Sequence, residues 1–207
     1  MKIFRNGLAT GLLLQLAIGP VFFFIISITM YRTLLDGLAA TVAVTLVDYL
    51  YITLAILGIG AVLERNRVKR IFGGLSSIVL VIFGFLMIKN VLSQTASTAD
   101  ISAASDILAS FTSTFFLTIS SPMTIVFWTS IFAAKAVECN YTRRELVMFG
   151  FSTGLATLLF MGTSVLLFSL IRDTVPPIVI RSLNALVGCL LIGYGGLRFA
   201  RVVQNTK

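Results

Sequence analysis

The sequence predicts an all-α integral membrane protein of six transmembrane helices, arranged as two inverted three-helix repeats with helices one and four broken at proline. Three observations predict this fold: a composition too apolar for a soluble domain, six apolar runs of spanning length, and a likeness between the two halves of the chain. Of 207 residues, 57% are hydrophobic and only 12% are charged. Such long apolar stretches are typical of membrane spans.

Each of the six apolar runs can cross a hydrocarbon core, which takes about 20 helical residues. The longest polar connection, 93–110, is the natural midpoint of the chain. The sequence therefore predicts a single transmembrane domain with repeat one over 1–92, a linker over 93–110 and repeat two over 111–207. The predicted spans are 7–30, 38–63, 71–92, 111–134, 146–170 and 179–200.

The basic residues are concentrated on one side of the predicted membrane. The chain carries 16 Lys and Arg against 8 Asp and Glu, and if the spans alternate, 12 of the basic residues fall on one side and 4 on the other. Because these residues sit in short loops, the positive-inside rule explains the charge better than nucleic-acid binding does. It predicts that both termini are cytoplasmic.

The two halves of the chain resemble one another. Span one contains AIGPVFFFIIS and span four contains TISSPMTIVFW, so that Pro20 and Pro122 lie at matching depths, 102 residues apart. Gly84 and Gly193 match near the ends of spans three and six, 109 apart. Since each repeat has three spans, the second half must enter the membrane upside down. Inverted repeats with interrupted helices are a recurring layout of transporters, with the substrate site near the midplane.

Two helix breaks are the first candidate site. Pro20 and Pro122 each remove a backbone N–H from the helical ladder, and Gly19 and Ser121 before them loosen it further. Freed carbonyls and the N-terminus of a half-helix suit an ammonium and a carboxylate. The alternative is an ordinary kink healed by neighbouring helices. The matched pair of prolines favours the binding site.

Asp48 is the only acidic residue with uninterrupted apolar sequence on both sides, near the middle of 37–63. An acid at mid-bilayer costs about 3 kcal/mol on translocon scales. By helical spacing it shares one face with Thr41, Thr45, Ile52 and Ala55, which predicts a polar stripe facing inward. The alternative is a structural hydrogen bond from a protonated acid. The cost of the placement favours a role in proton coupling.

The remaining polar and small residues give weaker signals. Gln15, one turn before Gly19, is a candidate substrate contact or a bridge between helices. Polar residues inside spans mostly serve packing, and Gly-x-x-x-Gly patterns fit close helix contact within one chain or between two. The residues concerned are Ser120, Thr124, Ser152, Thr157 and Asn184, and the glycine pairs are Gly7 with Gly11 and Gly150 with Gly154.

In order along the chain, these segments resemble the LysE family of bacterial amino-acid exporters. The likeness covers nearly the whole chain. Its matching pieces are GLATGLLLQLAIGP (7–20), LVDYLYITLAILGIGAVL (46–63), TISSPMTIVFW (118–128) and SLNALVGC (182–189).

The resemblance implies a six-span exporter of amino acids or close derivatives in the bacterial cell (inner) membrane. It implies proton antiport. The residues themselves predict no cofactor and no enzymatic activity, and the Gly-x-x-x-Gly patterns leave a homodimer open. Carried over by residue, Gly19 and Pro20 take the first helix break, Asp48 the acid of the second span, Ser121 and Pro122 the second break, and Asn184 the polar residue of the last span.

The chain departs from the family pattern at both breaks. Val21 and three phenylalanines follow the first Gly-Pro, where the family often has Asn or Gln. Ser121-Pro122 replaces the usual Asn-Pro of the second break. Both changes make the site less polar, which weakens the expectation of lysine or arginine as the substrate.

Four alternatives to amino-acid export stay open at this point. One is a structural or assembly protein of the membrane, against which the buried acid and the paired helix breaks argue. The chain could export another small solute. As an exporter of metal ions it would offer no histidine and a single mid-span acid, too few ligands for a divalent cation. The wider superfamily that the resemblance implies includes thiol-disulfide carriers with a cysteine in the first and fourth spans, whereas here Cys139 lies in a loop and Cys189 in span six.

Overall fold

The computed structural model of the chain describes residues 2–16, 19–58, 66–94, 105–120 and 122–204. Over these ranges the regular structure is helical, with no strand. A 3₁₀ turn at Arg172–Thr174 follows the seventh helix. The α-helices of the described ranges are α1 (Lys2–Gln15), α2 (Pro20–Tyr31), α3 (Leu34–Ile56), α4 (Asn66–Gln94), α5 (Ile107–Ile119), α6 (Pro122–Glu138), α7 (Arg143–Ile171) and α8 (Pro177–Gln204).

Three of these helices are long and apolar enough to cross a membrane: Leu34–Ile56, Arg143–Ile171 and the Pro177–Leu197 part of α8. The pair α1 and α2 passes the same test as one span bent by 79°. Shorter apolar helices cover Ser77–Lys89 and Ile107–Ile119. The described part of the chain is thus helical, with the long apolar helices of a multi-pass membrane protein.

Three helices begin before the predicted apolar runs, because polar N-caps rather than the edge of the lipid core set where they begin. The side chain of Thr33 accepts from the backbone N–H of Asp36, so α3 begins four residues before the predicted start of its span. Asp106 caps α5 inside the predicted linker, accepting from the Ala109 N–H at 2.9 Å. Thr142 and Glu145 form a capping box at the start of α7.

Two helices begin at the prolines of the predicted breaks. Gly19 is the N-cap of α2 and Pro20 its first residue, where a missing N–H costs no helical hydrogen bond. In the second half, α5 ends at Ile119 and α6 begins at Pro122. Each proline therefore starts a half-helix rather than kinking a continuous one.

Glycines bring α1 very close to α7. A Cβ added at Gly7 would lie 2.7 Å from the carbonyl oxygen of Phe149, and one added at Gly11 would lie 2.9 Å from that of Thr153. Because both contacts advance by four residues in the same direction, α1 and α7 run parallel. The Gly7–Gly11 pattern thus serves a contact within one chain, which decides between the two alternatives that the sequence left open.

The contacts of α3 with α7 and of α4 with α8 are antiparallel, whereas α5 runs parallel to α3, since Ser110 meets Asp36 and Ile119 meets Tyr51. A Cβ at Gly150 of α7 would meet Ile52 of α3 at 2.6 Å, whereas one at Gly37, early in α3, would meet Val165, late in α7, at 2.8 Å. Between α4 and α8, a Cβ at Gly84 would lie 2.6 Å from the carbonyl oxygen of Gly188. These close approaches leave α3 and α7 at the centre of the bundle.

Candidate functional site

Asp48 is buried at the centre of the bundle and both of its carboxylate oxygens are hydrogen-bonded. It lies fourteen residues after Leu34, about 21 Å along α3 at 1.5 Å per residue, and it is 5% exposed. The Trp128 indole N–H of α6 donates to Oδ1 at 3.2 Å, and the Thr157 hydroxyl of α7 donates to Oδ2 at 2.9 Å. Both donors are neutral.

A third contact extends this network to the first helix. The Gln15 amide Nε2 donates to the Thr157 hydroxyl oxygen at 2.6 Å. Thr157 therefore stands between Gln15 and Asp48 and bonds to both. Through these side chains the network joins α1, α3, α6 and α7 in one place.

The two oxygens of Asp48 differ in what they can do. The Trp128 N–H can only donate, so Oδ1 remains an acceptor whatever the charge of the carboxyl. A threonine hydroxyl can donate or accept, and in a helix it can turn to the carbonyl four residues earlier. A proton on Oδ2 can therefore be accommodated by rotation of the Thr157 hydroxyl toward Thr153, without movement of the backbone.

Asp48 borders a cavity of about 530 Å³, here called the central cavity. Small-molecule sites in proteins have volumes of roughly 300–1,000 Å³. Asp48 is the one charged side chain of its lining among the described residues. The lining consists of Leu14, Gln15, Gly19, Pro20, Val21, Phe22, Val44, Asp48, Leu80, Leu117, Thr118, Thr124, Phe127, Trp128, Thr157, Met161 and Tyr194.

The first helix break opens into the central cavity. The residues from Gly19 to Phe22 form the start of α2 and all line it. A Cβ added at Gly19 would meet none of the described residues within 4 Å. The N-terminal end of a helix carries a partial positive charge, and this end lies across the same cavity as the Asp48 carboxylate.

The second break is held by a tyrosine. The Tyr51 hydroxyl donates to the carbonyl oxygen of Ile119 at 2.6 Å, satisfying one of the acceptors that the end of α5 leaves open. Thr118 and Thr124, on either side of this break, line the central cavity. Ser121 lies outside the described residues, and only the backbone of Pro122 is described.

The predicted site residues separate into two places. Gln15, Gly19, Pro20 and Asp48 come together at the central cavity. Asn184 accepts a hydrogen bond from Ser27 and borders a different cavity, of about 220 Å³, here called the second cavity. The lining of the second cavity is Phe24, Ser27, Ile28, Tyr31, Arg32, Phe83, Leu86, Met87, Ala109, Ser110, Ser113 and Asn184.

The predicted inward stripe of α3 is confirmed. All five of its members are buried: Thr41, Thr45, Asp48, Ile52 and Ala55. In contrast, Leu46 and Leu50 on the other side of α3 are 49% and 45% exposed, as lipid-facing residues of a bundle would be. Helical periodicity alone was enough to place the acid inside.

Two members of the Asp48 network were missed as functional residues. Thr157 was grouped with packing residues, although it lies 109 residues after Asp48, the same spacing as the matched glycines Gly84 and Gly193. Trp128, the one tryptophan of the chain, lies six residues after Pro122. The repeat spacing is the signal that could have identified Thr157, whereas no local pattern marks Trp128 as a partner of Asp48.

The family match covers most of the chain. The LysE type translocator family matches residues 12–201, from the end of α1 through most of α8. The chain belongs to the LysE type translocator family. Comparison with curated proteins gave no match, and comparison with solved structures gave none.

Membership identifies this LysE type translocator as a membrane transporter, and the family is one of transporters rather than enzymes. It confirms the resemblance read from the Gly-Pro break, the acid of the second span and the Ser-Pro break. The central cavity is bordered by Asp48 and by the start of α2.

Proposed function

We propose that this translocator exports amino acids or close derivatives from the cytoplasm in exchange for protons, with the central cavity as the substrate site. The observation that carries the proposal is the position of Asp48. It is a buried acid that faces a cavity of ligand size and is held by neutral donors alone. An intramembrane acid in such a cavity is a common mark of a proton or substrate path.

The charges around the cavity complement an amino-acid zwitterion. The start of α2 at Gly19 and Pro20 favours a carboxylate, and Asp48 favours an ammonium. Phe22, Phe127 and Met161 make much of the remaining lining apolar. We therefore expect neutral amino acids with apolar side chains to fit better than lysine or arginine, whose second charge would lack an acidic partner among the described lining residues.

Competition at Asp48 couples the two fluxes. The carboxylate takes either the ammonium of the substrate or a proton on Oδ2. When the cavity faces the cytoplasm, the substrate displaces the proton; when it faces outward, a proton displaces the substrate. The Asp48 carboxylate would then be neutralised each time the cavity changes the side it faces, by the substrate ammonium in one direction and by a proton in the other. This avoids burying an unpaired charge.

The helix contacts support the proposed inverted repeat. On a pseudo-two-fold axis, a residue meets its own counterpart, and Asp48 bonds to Thr157 at the repeat spacing of 109. The contact of α1 with α7 has a counterpart in that of α5 with α3. With six alternating spans, the 12-to-4 distribution of basic residues supports cytoplasmic termini.

Export of a divalent cation is the less supported alternative. Both oxygens of Asp48 accept from Thr157 and Trp128, and the described residues include no group of three metal-ligating side chains. A cation would have to displace those donors and find further oxygen ligands, which such ions prefer.

The experiment is a substrate screen in proteoliposomes. Vesicles containing the purified chain are loaded with one unlabelled amino acid at a time, and uptake of trace radiolabelled amino acid is measured as counterflow. We expect counterflow with neutral apolar amino acids and weaker counterflow with lysine and arginine. Protein-free vesicles are the control. No counterflow with any amino acid, from protein shown to be folded, would contradict amino-acid transport.

A further inference from the structure

The central and second cavities follow one another along the same three helices. On α2 the lining passes from Val21 and Phe22 at the central cavity to Phe24, Ser27 and Ile28 at the second. On α4 it passes from Leu80 to Phe83 and Met87, and on α5 from Leu117 back to Ser113 and Ser110. The two cavities are therefore successive spaces on one line through the bundle.

Among the described residues, four apolar side chains lie where the two linings meet, here called the plug: Phe24, Leu80, Phe83 and Leu117. Leu80 and Leu117 line the central cavity, and Phe24 and Phe83 line the second. The two phenylalanine rings meet edge to face with centroids 5.7 Å apart. Phe24, Leu80 and Leu117 belong to one buried hydrophobic cluster, and Phe83 packs against it. A layer of this kind excludes water and polar solutes from the gap between the cavities.

The second cavity has a polar lining suited to the same kind of solute. Arg32 borders it at the end of α2, with Nη1 3.1 Å from the Asp106 carbonyl oxygen and 3.8 Å from the Asp36 carboxylate. The Ser110 hydroxyl and the Asn184 amide add groups that can donate or accept. The guanidinium suits a carboxylate, and the hydroxyl and amide oxygens can accept hydrogen bonds from an ammonium.

We propose that the second cavity is a further binding site for the exported amino acid, and that the plug is the gate between it and the central cavity, closed in this structure. The inference rests on the proposed function, because it assigns a second site to the same substrate. The second cavity lies where α2 ends and where α3 and α5 begin. With cytoplasmic termini, this end faces outward, so the second cavity is the exit side.

The test measures from which side each cavity can be reached. Cys139 and Cys189 are replaced by serine, and single cysteines are introduced as Ser113→Cys in the second cavity and Thr124→Cys in the central cavity. A membrane-impermeant maleimide is added to right-side-out or inside-out vesicles. We expect the Ser113→Cys site to react from one side of the membrane, here called the Ser113 side. The Thr124→Cys site should resist reagent added on that side.

Removal of the plug should open the central cavity to that side. Phe83→Ala should raise the rate at which the Thr124→Cys site reacts from the Ser113 side by about tenfold or more, since a bias of about 1.4 kcal/mol is enough for tenfold. Phe85→Ala is the matched control, because Phe85 lies on the same helix and is 62% exposed. Phe24→Leu gives a second, milder variant, and gel filtration in detergent checks that each variant is folded.

The proposed gate would be refuted if the Thr124→Cys site reacted readily from the Ser113 side with the plug intact. It would also be refuted if neither plug variant changed the rate of that reaction. Protection by a counterflow substrate tests the second site separately. We expect the substrate to slow labelling of the Ser113→Cys site; labelling unaffected by a substrate that protects the Thr124→Cys site would refute binding in the second cavity. If no amino acid protects either site while Phe83→Ala still opens the path, the gate stands and the proposed substrate class fails.

Discussion

The two central helices, α3 and α7, begin alike and use the likeness differently. Thr33 and Thr142 cap them, 109 residues apart, and an acidic residue follows three positions after each. In α7 that residue, Glu145, closes its own capping box on the surface. In α3 it is Asp36, which is fully buried and accepts from the Ser110 hydroxyl at 2.7 Å. The same local motif thus caps one helix and anchors α5 to the other.

The midpoints of the two helices differ in the same way. Asp48 and Thr157 occupy matching positions and bond to each other, but only Asp48 can carry a charge or a proton. Thr157 can only relay hydrogen bonds between Gln15 and the carboxylate. The repeated scaffold thus brings two equivalent positions together, but only one of them carries a titratable side chain.

Exchange of the two midpoint residues should have the largest effect on transport. Asp48→Thr should reduce gradient-driven transport to the level of protein-free vesicles, because no carboxyl remains in the described part of the central cavity. Adding Thr157→Asp should restore part of it, since the new carboxyl lies beside the same cavity. Uptake of the counterflow substrate in proteoliposomes measures both. A double variant as inactive as Asp48→Thr would show that the two positions are not equivalent.

Removal of the relay alone should have a smaller effect. Thr157→Val keeps the shape but leaves Gln15 and one Asp48 oxygen without their partner. A buried polar group left unsatisfied costs about 1–3 kcal/mol, so we expect transport to fall about tenfold. Thr163→Val, at an exposed position of the same helix, is the control and should transport normally. Equal rates for the two variants would remove Thr157 from the mechanism.

The two capping acids should differ in their effect on stability. Asp36→Ala removes a buried acceptor of several hydrogen bonds. Because hydrogen bonds to a charged group are strong, we expect the free energy of unfolding to fall by about 3 kcal/mol. Glu145→Ala removes an exposed capping contact and should leave the thermal midpoint nearly unchanged. Thermal unfolding of both variants in the same detergent compares them. Midpoints that fall equally would mean that Asp36 is no more than a cap.

Two glycines of the first half should tolerate a methyl group unequally. In Gly11→Ala the new Cβ would lie 2.5 Å from that of Ala156, which forces α1 away from α7 and should cost about 2 kcal/mol. Gly19→Ala adds a Cβ that meets none of the described residues, at a backbone φ of −114° that alanine adopts freely, and should be neutral for stability. Thermal midpoints again decide, and a stable Gly11→Ala variant would contradict the close α1–α7 contact.

Periodicity and helix-breaking residues were enough to predict much of the fold. The helical starts at Pro20 and Pro122 and the buried stripe through Asp48 follow from local chemistry, since proline removes a donor and an acid in lipid must turn inward. Helix ends were predicted less well, because caps such as Thr33 and Asp106 lie in polar sequence beyond the apolar runs.

The partners of Asp48 could not be predicted from local sequence. Trp128 and Thr157 lie 80 and 109 residues away, and packing of α6 and α7 alone brings them to the carboxylate. Asn184 shows the reverse case. The family resemblance marked it as a substrate-binding residue, which stays a prediction, and the helix packing places it on the second cavity, where it bonds to Ser27.

Proton coupling at Asp48 is tested most directly by the response of Asp48→Asn to a pH gradient. The amide cannot release a proton, but its oxygen can still accept a hydrogen bond from the substrate ammonium, so the substrate should exchange across the membrane with weaker binding than in the wild type. In proteoliposomes with the potential clamped at zero, one pH unit is worth about 1.4 kcal/mol per proton and should sustain up to about tenfold accumulation by the wild-type chain in one-for-one exchange. We predict that Asp48→Asn shows counterflow without any accumulation driven by the gradient. Accumulation by Asp48→Asn equal to that of the wild type would contradict the assignment of Asp48 as the proton-coupling residue.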